Sequence, residues 1–245
     1  MSLRVHSTAW ITPLGRGADL AGTPNRGVRR NPFSGREFVC YEPRPADYAD
    51  AARLPRLRRS SAISHLAVSV ARAAAGETDA SQWGLVFASA DGGIVYTRRF
   101  FEPVDARNPG AGSPLLFPET VYNAPASHIA AALGITGTVL TVAGDADAGR
   151  RALEAAEQLL RGGLCETCLV VAAQEVDWIM CEAQAAWGDR AIPAEGAAAL
   201  VVSREGGLPL PEHPADVSLL GECRGVSPLW GLIHGLRLTS PASRR

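Results

Sequence analysis

The chain has 245 residues, of which 47% are hydrophobic, so it can bury one substantial core as a single α/β domain or as two smaller ones. Its net charge of -1 gives no general attraction to phosphate backbones or anionic lipids, and we expect no nucleic-acid partner. All 24 basic residues are arginine, which excludes a lysine Schiff base, a pyridoxal phosphate anchor and a Walker-type phosphate loop. We expect no cofactor.

The hydropathy pattern predicts a cytoplasmic protein without a membrane span. No apolar run approaches the roughly 20 residues that a helix needs to cross a bilayer. The N-terminal sequence Met-Ser-Leu-Arg-Val-His lacks the hydrophobic stretch of a signal peptide. An odd number of cysteines without an export signal predicts reduced thiols; the five are Cys40, Cys165, Cys168, Cys181 and Cys223.

Two of the cysteines, Cys165 and Cys168, form a single CxxC pair. A structural zinc site needs about four ligands, and the sequence offers neither a second pair nor a nearby histidine at ligand spacing. The text continues as Cys-Leu-Val-Val-Ala-Ala, which is typical of a buried strand. The pattern therefore favours burial at the start of a strand over zinc binding.

The first half of the chain predicts strands, helices and one irregular segment. Leu3 to Ile11 alternates as a strand does and ends at the turn signal Thr12-Pro13-Leu14-Gly15. Residues 21–59 are rich in proline, glycine and arginine and predict an ordered but irregular excursion with a solvated basic face. An amphipathic helix is predicted at residues 61–75, with Ser60 or Ser61 as N-cap, and a strand at residues 83–89. A helix at residues 94–101, a loop at residues 103–118 and a helix at residues 123–133 follow.

The second half continues the alternation. Thr138 to Val142 predicts a strand, and Arg150 to Arg161 predicts a helix that Gly162-Gly163 ends. Buried strands are predicted at residues 169–173 and 197–202. Strands alternating with helices indicate an α/β sandwich with a mixed, mostly parallel sheet flanked by helices.

The junction Gly144-Asp145-Ala146-Asp147-Ala148-Gly149 has two chemical interpretations. A strand that breaks sharply into a helix collects backbone N–H groups and the helix dipole at one point, where enzymes place an anion site or a nucleophile. Dinucleotide binding is disfavoured because alanine replaces the middle glycine of GxGxxG and two aspartates would repel phosphates. The other interpretation is a nucleophile elbow.

Several segments resemble β-ketoacyl-acyl carrier protein synthases. The N-terminal strand with its "TPLG" resembles the family's opening strand, and Thr141 to Leu153 resembles its elbow, Thr-x-x-x-Ala-Cys-Ser-x-Gly-x-x-Ala-x. Further similar segments lie at residues 123–137, 160–175 and 194–202, the last resembling "GEGAAALVLE". Their order across residues 3–225 identifies a thiolase-like, truncated N-terminal-half member of the family, similar to the cysteine-less chain length factors.

Two departures from the family predict a catalytically inactive protein. The resemblance places the acylated cysteine at Ala146, and a methyl group cannot attack a thioester. Asp145 and Asp147 flank that position, where carboxylates would oppose a thiolate and an oxyanion. The family's second half, with its two catalytic histidines and its lysine, has no counterpart here, and His234 lacks their surroundings.

Other chemistry-bearing side chains receive structural interpretations. Asp145, Asp147 and Glu175 are a candidate carboxylate site for a hard cation, but capping of the following helix by Asp147 is favoured, so we expect no metal. His128 lies on the helix before the elbow strand and is expected to be structural.

The resemblance implies pairing through the sheet edge beside the elbow. We therefore expect a chain-length-factor-like subunit that pairs with an active ketosynthase in fatty acid, polyketide or polyene biosynthesis. The residues expected nearest the dimer or tunnel seam are Val121, Tyr122, Pro125 and His128. Acyl carrier protein is the further expected partner.

Two alternatives remain open. One is a homodimeric module that docks acyl carrier protein or an acyl chain through the arginines of residues 26–59. The other is an acyltransferase or thioesterase with a relocated nucleophile, for which Ser89 is the best-placed serine although no GxSxG surrounds it.

The chain divides into a ketosynthase-like domain at residues 1–225 and a tail at residues 226–245. The helix from Arg150 to Arg161 is amphipathic rather than apolar all round, although its family counterpart is buried on both sides. The tail from Val226 to Leu238 is expected to fold over the remaining apolar surface.

Overall fold

Nine strands and seven α-helices lie in residues 3–18, 20–104 and 110–239, the part of the chain that the computed structural model describes. The strands are β1 (Arg4–Thr12), β2 (Gly15–Arg16), β3 (Arg26–Arg30), β4 (Glu37–Tyr41), β5 (Gly84–Ser89), β6 (Val139–Ala143), β7 (Thr167–Gln174), β8 (Gly196–Ser203) and β9 (Leu208–Pro209). The helices are α1 (Ala49–Ala52), α2 (Ala62–Ala75), α3 (Ile94–Phe101), α4 (Ala124–Leu133), α5 (Ala148–Arg161), α6 (Trp178–Ala186) and α7 (Ser227–Thr239).

One mixed sheet organises the chain, in the order β2-β1-β8-β7-β5-β6, and β9 pairs with β1. Strand β5 is parallel to both β6 and β7, whereas β8 is antiparallel to β7 and to β1. The expected α/β class with a mixed sheet and flanking helices is confirmed, but the sheet is not mostly parallel: among its strand pairs in the described chain only β5–β6 and β5–β7 are parallel. Strand β6 lies at one edge, which leaves one side of its backbone without a strand neighbour in the described part of the chain.

Both faces of the central strands are covered by helices, which explains why their sequences are uninterrupted runs of mostly apolar residues. In β7, Leu169 and Val171 belong to the core beneath α2 and α4. Val170 and Ala172 face the opposite core, beneath α5 and α7. All four side chains are fully buried, as the sequence predicted for this strand.

Helix α5 has one apolar face towards the sheet, and α7 covers the side of the core next to it. Ala152, Leu153 and Ala156 of α5 are buried in the same cluster as Trp230 and Ile233 of α7. Trp230 is fully buried, and its indole N–H donates to the carbonyl of Ala197 at 3.1 Å. The expectation that the tail folds over the apolar surface is confirmed for residues 226–237.

The excursion at residues 21–59 is more regular than expected. Strands β3 and β4 form an antiparallel hairpin in which Arg26 pairs with Tyr41 and Arg30 with Glu37, and α1 follows. The expectation of an irregular segment was wrong because Arg26, Arg29 and Arg30 place charged side chains on both faces of β3, which obscures the alternation of a strand. Helix α6 was not predicted; the carboxylate of Asp177 caps it by accepting from the N–H of Ile179 at 3.1 Å.

The five cysteines are all buried and form no disulfide bond in this structure, and their reduced state stays a prediction. The predicted burial of the CxxC pair is confirmed, since the exposed fraction is 9% for Cys165 and 0% for Cys168. Residues 105–109, part of the predicted loop, lie outside the described residues. Across the described ranges, no helix combines the length and apolar character that crossing a membrane requires.

Candidate functional site

Strand β6 passes into helix α5 through a short junction at residues 144–147. The Asp145 carboxylate accepts a hydrogen bond from the backbone N–H of Asp147 at 2.9 Å, which turns the chain towards the helix. Ala146, the residue that the family resemblance aligns with the nucleophile, is exposed to solvent in this turn. The start of α5 therefore presents a methyl group, which has no nucleophilic atom.

Asp147 occupies the N-cap position of α5, but its carboxylate does not cap the helix. The expectation of capping was wrong: the side chain accepts no hydrogen bond from the first turn and pairs with Arg150 at 3.2 Å. Its backbone is already close to helical, with φ −88° and ψ 0°, whereas a capping side chain normally projects from an extended residue.

The second aspartate of the junction is also paired with an arginine. Asp145 lies 3.2 Å from Arg151, and both side chains are about half exposed. The backbone N–H of Asp147 and the guanidinium of Arg151 lower the pKa of Asp145. The junction is therefore a solvated set of ion pairs in which the arginines offset the negative charge expected there.

The segment that leads into α7 covers the start of α5. The N–H of Gly225 donates to the carbonyl of Ala146 at 3.2 Å. A Cβ at Gly149 would collide with the carbonyl oxygen of Gly225, so the absence of a side chain at residue 149 permits the close approach. The elbow is thus closed on this side by the chain's own backbone.

Cys223, two residues before Gly225, is the cysteine of this covering segment. Its side chain is fully buried in the apolar core shared by α5 and α7. Burial, with smaller contributions from Glu195 and Asp91, raises the pKa of the Cys223 thiol well above its usual value. A neutral, inaccessible thiol does not replace the nucleophile that Ala146 lacks.

The residues expected at the seam occupy two different environments. Val121 and Tyr122 are 39% and 41% exposed, and the Tyr122 hydroxyl donates to the carbonyl of Ala90 at 3.2 Å. Pro125 is buried at the start of α4, so it supports this surface from within and cannot itself contact a partner. On the edge strand β6, Val139 and Leu140 are each 39% exposed.

The fourth seam residue, His128, faces a buried carboxylate that the sequence did not reveal. Its Nε2 atom lies 2.6 Å from Oε1 of Glu119, and Ser60 Oγ lies 3.2 Å from the same nitrogen. The other oxygen of Glu119 accepts from the N–H of Ser61 at 3.2 Å and from the Ser64 hydroxyl at 3.1 Å. Burial opposes ionisation of Glu119, but the hydrogen bonds from His128 and Ser61 outweigh it and lower its pKa.

This Glu119–His128 pair does not form a catalytic triad with Ser60. In a triad the imidazole contacts the nucleophile through one nitrogen and the carboxylate through the other. Here Ser60 and Glu119 both contact Nε2, so the ring cannot pass a proton from one to the other. The structural role expected for His128 fits this geometry.

Ser89, the alternative nucleophile, is fully buried at the end of β5. Its hydroxyl accepts from the N–H of Gly92 at 3.0 Å and donates to Gln174 at 3.4 Å. Within the described chain, none of its hydrogen bonds involves a histidine. The arrangement lacks the base that nucleophilic catalysis requires, and the relocated-nucleophile alternative is not supported.

Glu175, which follows β7, joins the first turns of two helices. Its carboxylate accepts from the N–H of Val95 in α3 at 2.9 Å and from the N–H of Ile63 in α2 at 3.2 Å. Burial raises the pKa of Glu175 to about 8, although both backbone donors oppose the shift. Its two oxygens are thus occupied by the fold.

The carboxylates proposed as a cation site have different surroundings. Glu175 is fully buried, whereas Asp145 and Asp147 are more than half exposed at the elbow. Among the residues that the structure describes, no group of three or more histidine, cysteine, aspartate or glutamate side chains could hold a metal ion.

A second buried ion pair links the hairpin to the sheet. Arg29 of β3 lies 2.5 Å from Glu195 and 2.7 Å from Glu42, and it also donates to the carbonyl of Val176 at 2.9 Å. Burial raises the pKa of Glu195, and Arg29 counteracts the shift. Glu195 directly precedes the apolar run of β8, and an ionised carboxylate buried there is stable only when a cation pairs with it, which is the signal by which sequence reasoning could have found this pair.

The arginines of residues 26–59 thus do not all belong to one solvated basic surface. Arg29 is structural, and Arg36 pairs with Glu182 at 3.2 Å. The others that are exposed and form no ion pair in the described part of the chain are Arg26, Arg30, Arg44, Arg53, Arg56, Arg58 and Arg59.

The family profile described as "Beta-ketoacyl synthase, N-terminal domain" matches residues 37–215. The chain therefore belongs to the β-ketoacyl synthase family, and its mixed sheet between helices is the thiolase-like fold of that family. No curated protein matches the chain.

Solved ketosynthase structures share this fold. The ishigamide ketosynthase/chain length factor is 18% identical with a TM-score of 0.67, over 86% of this chain and 64% of that chain. A type II polyketide ketosynthase, AntDE, in complex with its acyl carrier protein AntF is 16% identical with a TM-score of 0.63, over 82% of this chain and 62% of that chain. This chain thus spans less than two thirds of both matched chains.

One similar structure contains a chain of comparable length. It is the complex of the ketosynthase ApeO with its chain length factor ApeC from Xenorhabdus doucetiae, 17% identical with a TM-score of 0.62. The match covers 88% of this chain and 84% of that chain.

Proposed function

We propose that this chain is a non-catalytic β-ketoacyl synthase-like subunit that pairs with an active ketosynthase and shapes its acyl tunnel, as a chain length factor does. The observation that carries the proposal is the elbow. Ala146 is exposed at the strand-to-helix junction where the family resemblance places the acylated cysteine, and the one thiol of the covering segment, Cys223, is fully buried. On this proposal, the junction at Ala146 corresponds to the family's acylation site but lacks the cysteine sulfur.

The exposed edge of the sheet supports a partner subunit. Strand β6 has a free backbone edge in the described structure, and Val139 and Leu140 expose apolar side chains beside it. An unpaired apolar edge strand is normally covered, because it otherwise associates with other strands. Val121 and Tyr122, before α4, also expose apolar side chains. Similar folds occur in a ketosynthase complex with its chain length factor and in a ketosynthase complex with an acyl carrier protein.

The proposed place of this subunit is fatty acid, polyketide or polyene biosynthesis, with an acyl carrier protein delivering the chain to the partner. The experiment is co-expression with a ketosynthase encoded in the same gene neighbourhood, followed by affinity purification through a tag on this chain. We expect a stable heterodimer. We also expect no acyl adduct on any of the five cysteines when this chain alone meets acyl carrier protein substrates.

A matched pair of variants assigns the interface. Leu140→Asp places a carboxylate on the proposed seam and should weaken the heterodimer about tenfold or more, because a charge buried in an apolar interface is costly. Leu208→Asp makes the same change on β9, at the other end of the sheet, where the leucine is 47% exposed, and should leave binding unchanged. Equal binding by both variants, or an acyl adduct on the isolated chain, would contradict the proposal.

The exposed arginines favour a second candidate, a homodimeric module that docks an acidic carrier protein without a ketosynthase. Arg56, Arg58 and Arg59 lie close together in sequence and are exposed. Size-exclusion chromatography with multi-angle light scattering separates the two functions. A homodimer that binds carrier protein, and loses it on triple replacement by glutamate, supports the module; a monomer that associates only with ketosynthase supports the subunit.

A further inference from the structure

Two thiols meet beside a cavity of about 590 Å³ at the C-terminal end of α5. Cys165 lies in the turn between α5 and β7 and lines the cavity with Gly163 and Thr167, and the first strand contributes His6. Cys168 lies behind it, as the second residue of β7, and is fully buried. Cys165 thus lies between the cavity and its partner.

The neighbouring strand provides space for both sulfur atoms. Gly84 of β5 is in register with Cys168, and a Cβ at Gly84 would lie 2.7 Å from Sγ of Cys165 and 3.4 Å from Sγ of Cys168. The two sulfurs therefore share the volume that the missing side chain leaves. The Cys168 thiol itself donates to the backbone carbonyl of Leu169 at 3.9 Å.

The environment makes the two thiols unequal. The neighbouring Cys168 thiol, assisted by the N–H of Gly84, lowers the pKa of Cys165 to about 7 against the effect of burial. The Cys165 sulfur and burial raise the pKa of Cys168. An ionisable first cysteine with a buried, protonated second cysteine is the pattern of reactive CxxC pairs.

The remaining thiols differ from Cys165. Burial raises the pKa of Cys40 to about 12 and that of Cys181 to about 11, and it raises the pKa of Cys223 as well. Each of the three is at most 3% exposed.

We propose that Cys165 and Cys168 form a redox-active dithiol that is oxidised reversibly to an intramolecular disulfide by low-molecular-weight disulfides. The Cys165 thiolate attacks one sulfur of the disulfide RSSR and displaces RS⁻, which gives a mixed disulfide at Cys165. The Cys168 sulfur then attacks Sγ of Cys165, displaces the second RS⁻ and closes the protein disulfide. The two protons of the cysteines end on the two RSH products, so the protein loses two electrons and RSSR gains them.

This site is separate from the proposed ketosynthase seam. The elbow follows the C-terminal end of β6, whereas the dithiol precedes and begins β7, which runs in the same direction two strands away. The two sites therefore lie at opposite ends of the parallel strands and at opposite ends of α5. Redox chemistry at the dithiol does not depend on whether the chain binds a ketosynthase.

The experiment treats the reduced full-length chain with glutathione disulfide and follows its intact mass. The wild-type chain should lose two hydrogens without a lasting adduct. Cys168→Ser should retain one glutathione on Cys165, because the resolving thiol is gone. Cys165→Ser should react at least about tenfold more slowly, since the accessible thiolate is absent.

Controls separate chemistry from folding. Cys181→Ser removes another buried thiol and should leave the oxidation unchanged, and circular dichroism checks that each variant is folded. Gly84→Ala should slow disulfide formation, because the new methyl group displaces the Cys165 sulfur. A wild-type chain that keeps both hydrogens, a Cys168→Ser chain without an adduct, or peptide mapping that places the disulfide on Cys40, Cys181 or Cys223 would overturn the proposal.

Discussion

The two ends of helix α5 differ in what they bring to chemistry. At its N-terminal end the fold provides a strand-to-helix junction with the helix dipole, but residue 146 is an exposed alanine. Near its C-terminal end, where no comparable junction exists, Cys165 and Cys168 share the space beside Gly84. The N-terminal end has the architecture for a nucleophile but no nucleophilic atom. The C-terminal end has two thiols, where the turn after α5 enters β7. Fold alone therefore does not locate reactivity in this chain.

The largest expected effect, a loss of stability, tests whether α7 is part of the core that it shares with α5. Trp230→Ala removes a fully buried indole and its hydrogen bond to Ala197, and should lower the free energy of unfolding by about 3–5 kcal/mol. Urea denaturation followed by circular dichroism measures it. The matched control is Trp187→Ala, where the side chain is 78% exposed and the loss should stay within about 0.5 kcal/mol. Similar losses in both variants would show that α7 is not part of the core.

The second prediction tests whether Glu175, which follows the C-terminal end of β7, is a structural residue. The pKa of Glu175 is raised to about 8 in the folded chain, so the proton is held more tightly there than in the unfolded chain. Its stabilising contribution is complete below the unfolded pKa of 4.5 and is lost as the pH rises to about 8. Between about pH 5 and 8 the wild type should lose stability relative to Glu175→Gln, on the order of a few kcal/mol. Denaturation at several pH values checks this.

Glu119 provides the control of opposite sign. Hydrogen bonds from His128 and Ser61 lower its pKa, so its contribution is present above the usual pKa and is lost as the pH falls. Glu119→Gln should therefore differ from the wild type most near neutral pH and least in acid. Parallel pH profiles for the two variants would contradict the assignment of opposite shifts.

The smallest expected effect returns a sulfur to the elbow. Ala146→Cys should be alkylated readily by iodoacetamide, because residue 146 is exposed at the start of a helix. Adding Asp145→Asn and Asp147→Asn should increase the rate about two- to tenfold, since neighbouring carboxylates raise a thiol pKa. Peptide mass spectrometry at fixed pH gives the rate at residue 146. A slower reaction after the charges are removed would contradict the prediction, because it would show that the carboxylates and their paired arginines together do not raise the pKa of the thiol.

Local sequence patterns predicted most of the architecture. The apolar periodicity gave α2 to within a residue, the Asp91-Gly92-Gly93 turn gave the start of α3, and the continuous apolar sequence gave β5, β7 and β8. Helix α2 and these strands bury whole faces, so their patterns are visible without knowledge of their neighbours. The hairpin of β3 and β4 was missed because its arginines hide the alternation, and one of them, Arg29, is buried only through pairing with the distant Glu195.

The site was predictable only where it depends on backbone turns. The elbow at residues 144–147 follows from glycines and aspartates between a strand and a helix. The pairing of Glu119 with His128, and the meeting of Gly84 with Cys165, join residues that no local pattern connects. The role of Asp147 was misjudged because its backbone conformation, which decides capping, is set by the Asp145 turn.

The open strand β6 has a consequence for the cell as well as for assembly. A chain that displays an unpaired, partly apolar strand can associate with copies of itself whenever the proposed ketosynthase partner is scarce. Balanced synthesis of the two polypeptides would then matter as much as their affinity. Surplus molecules would be removed by proteolysis or lost as insoluble material, so the yield of this protein from a host that makes it alone should be low.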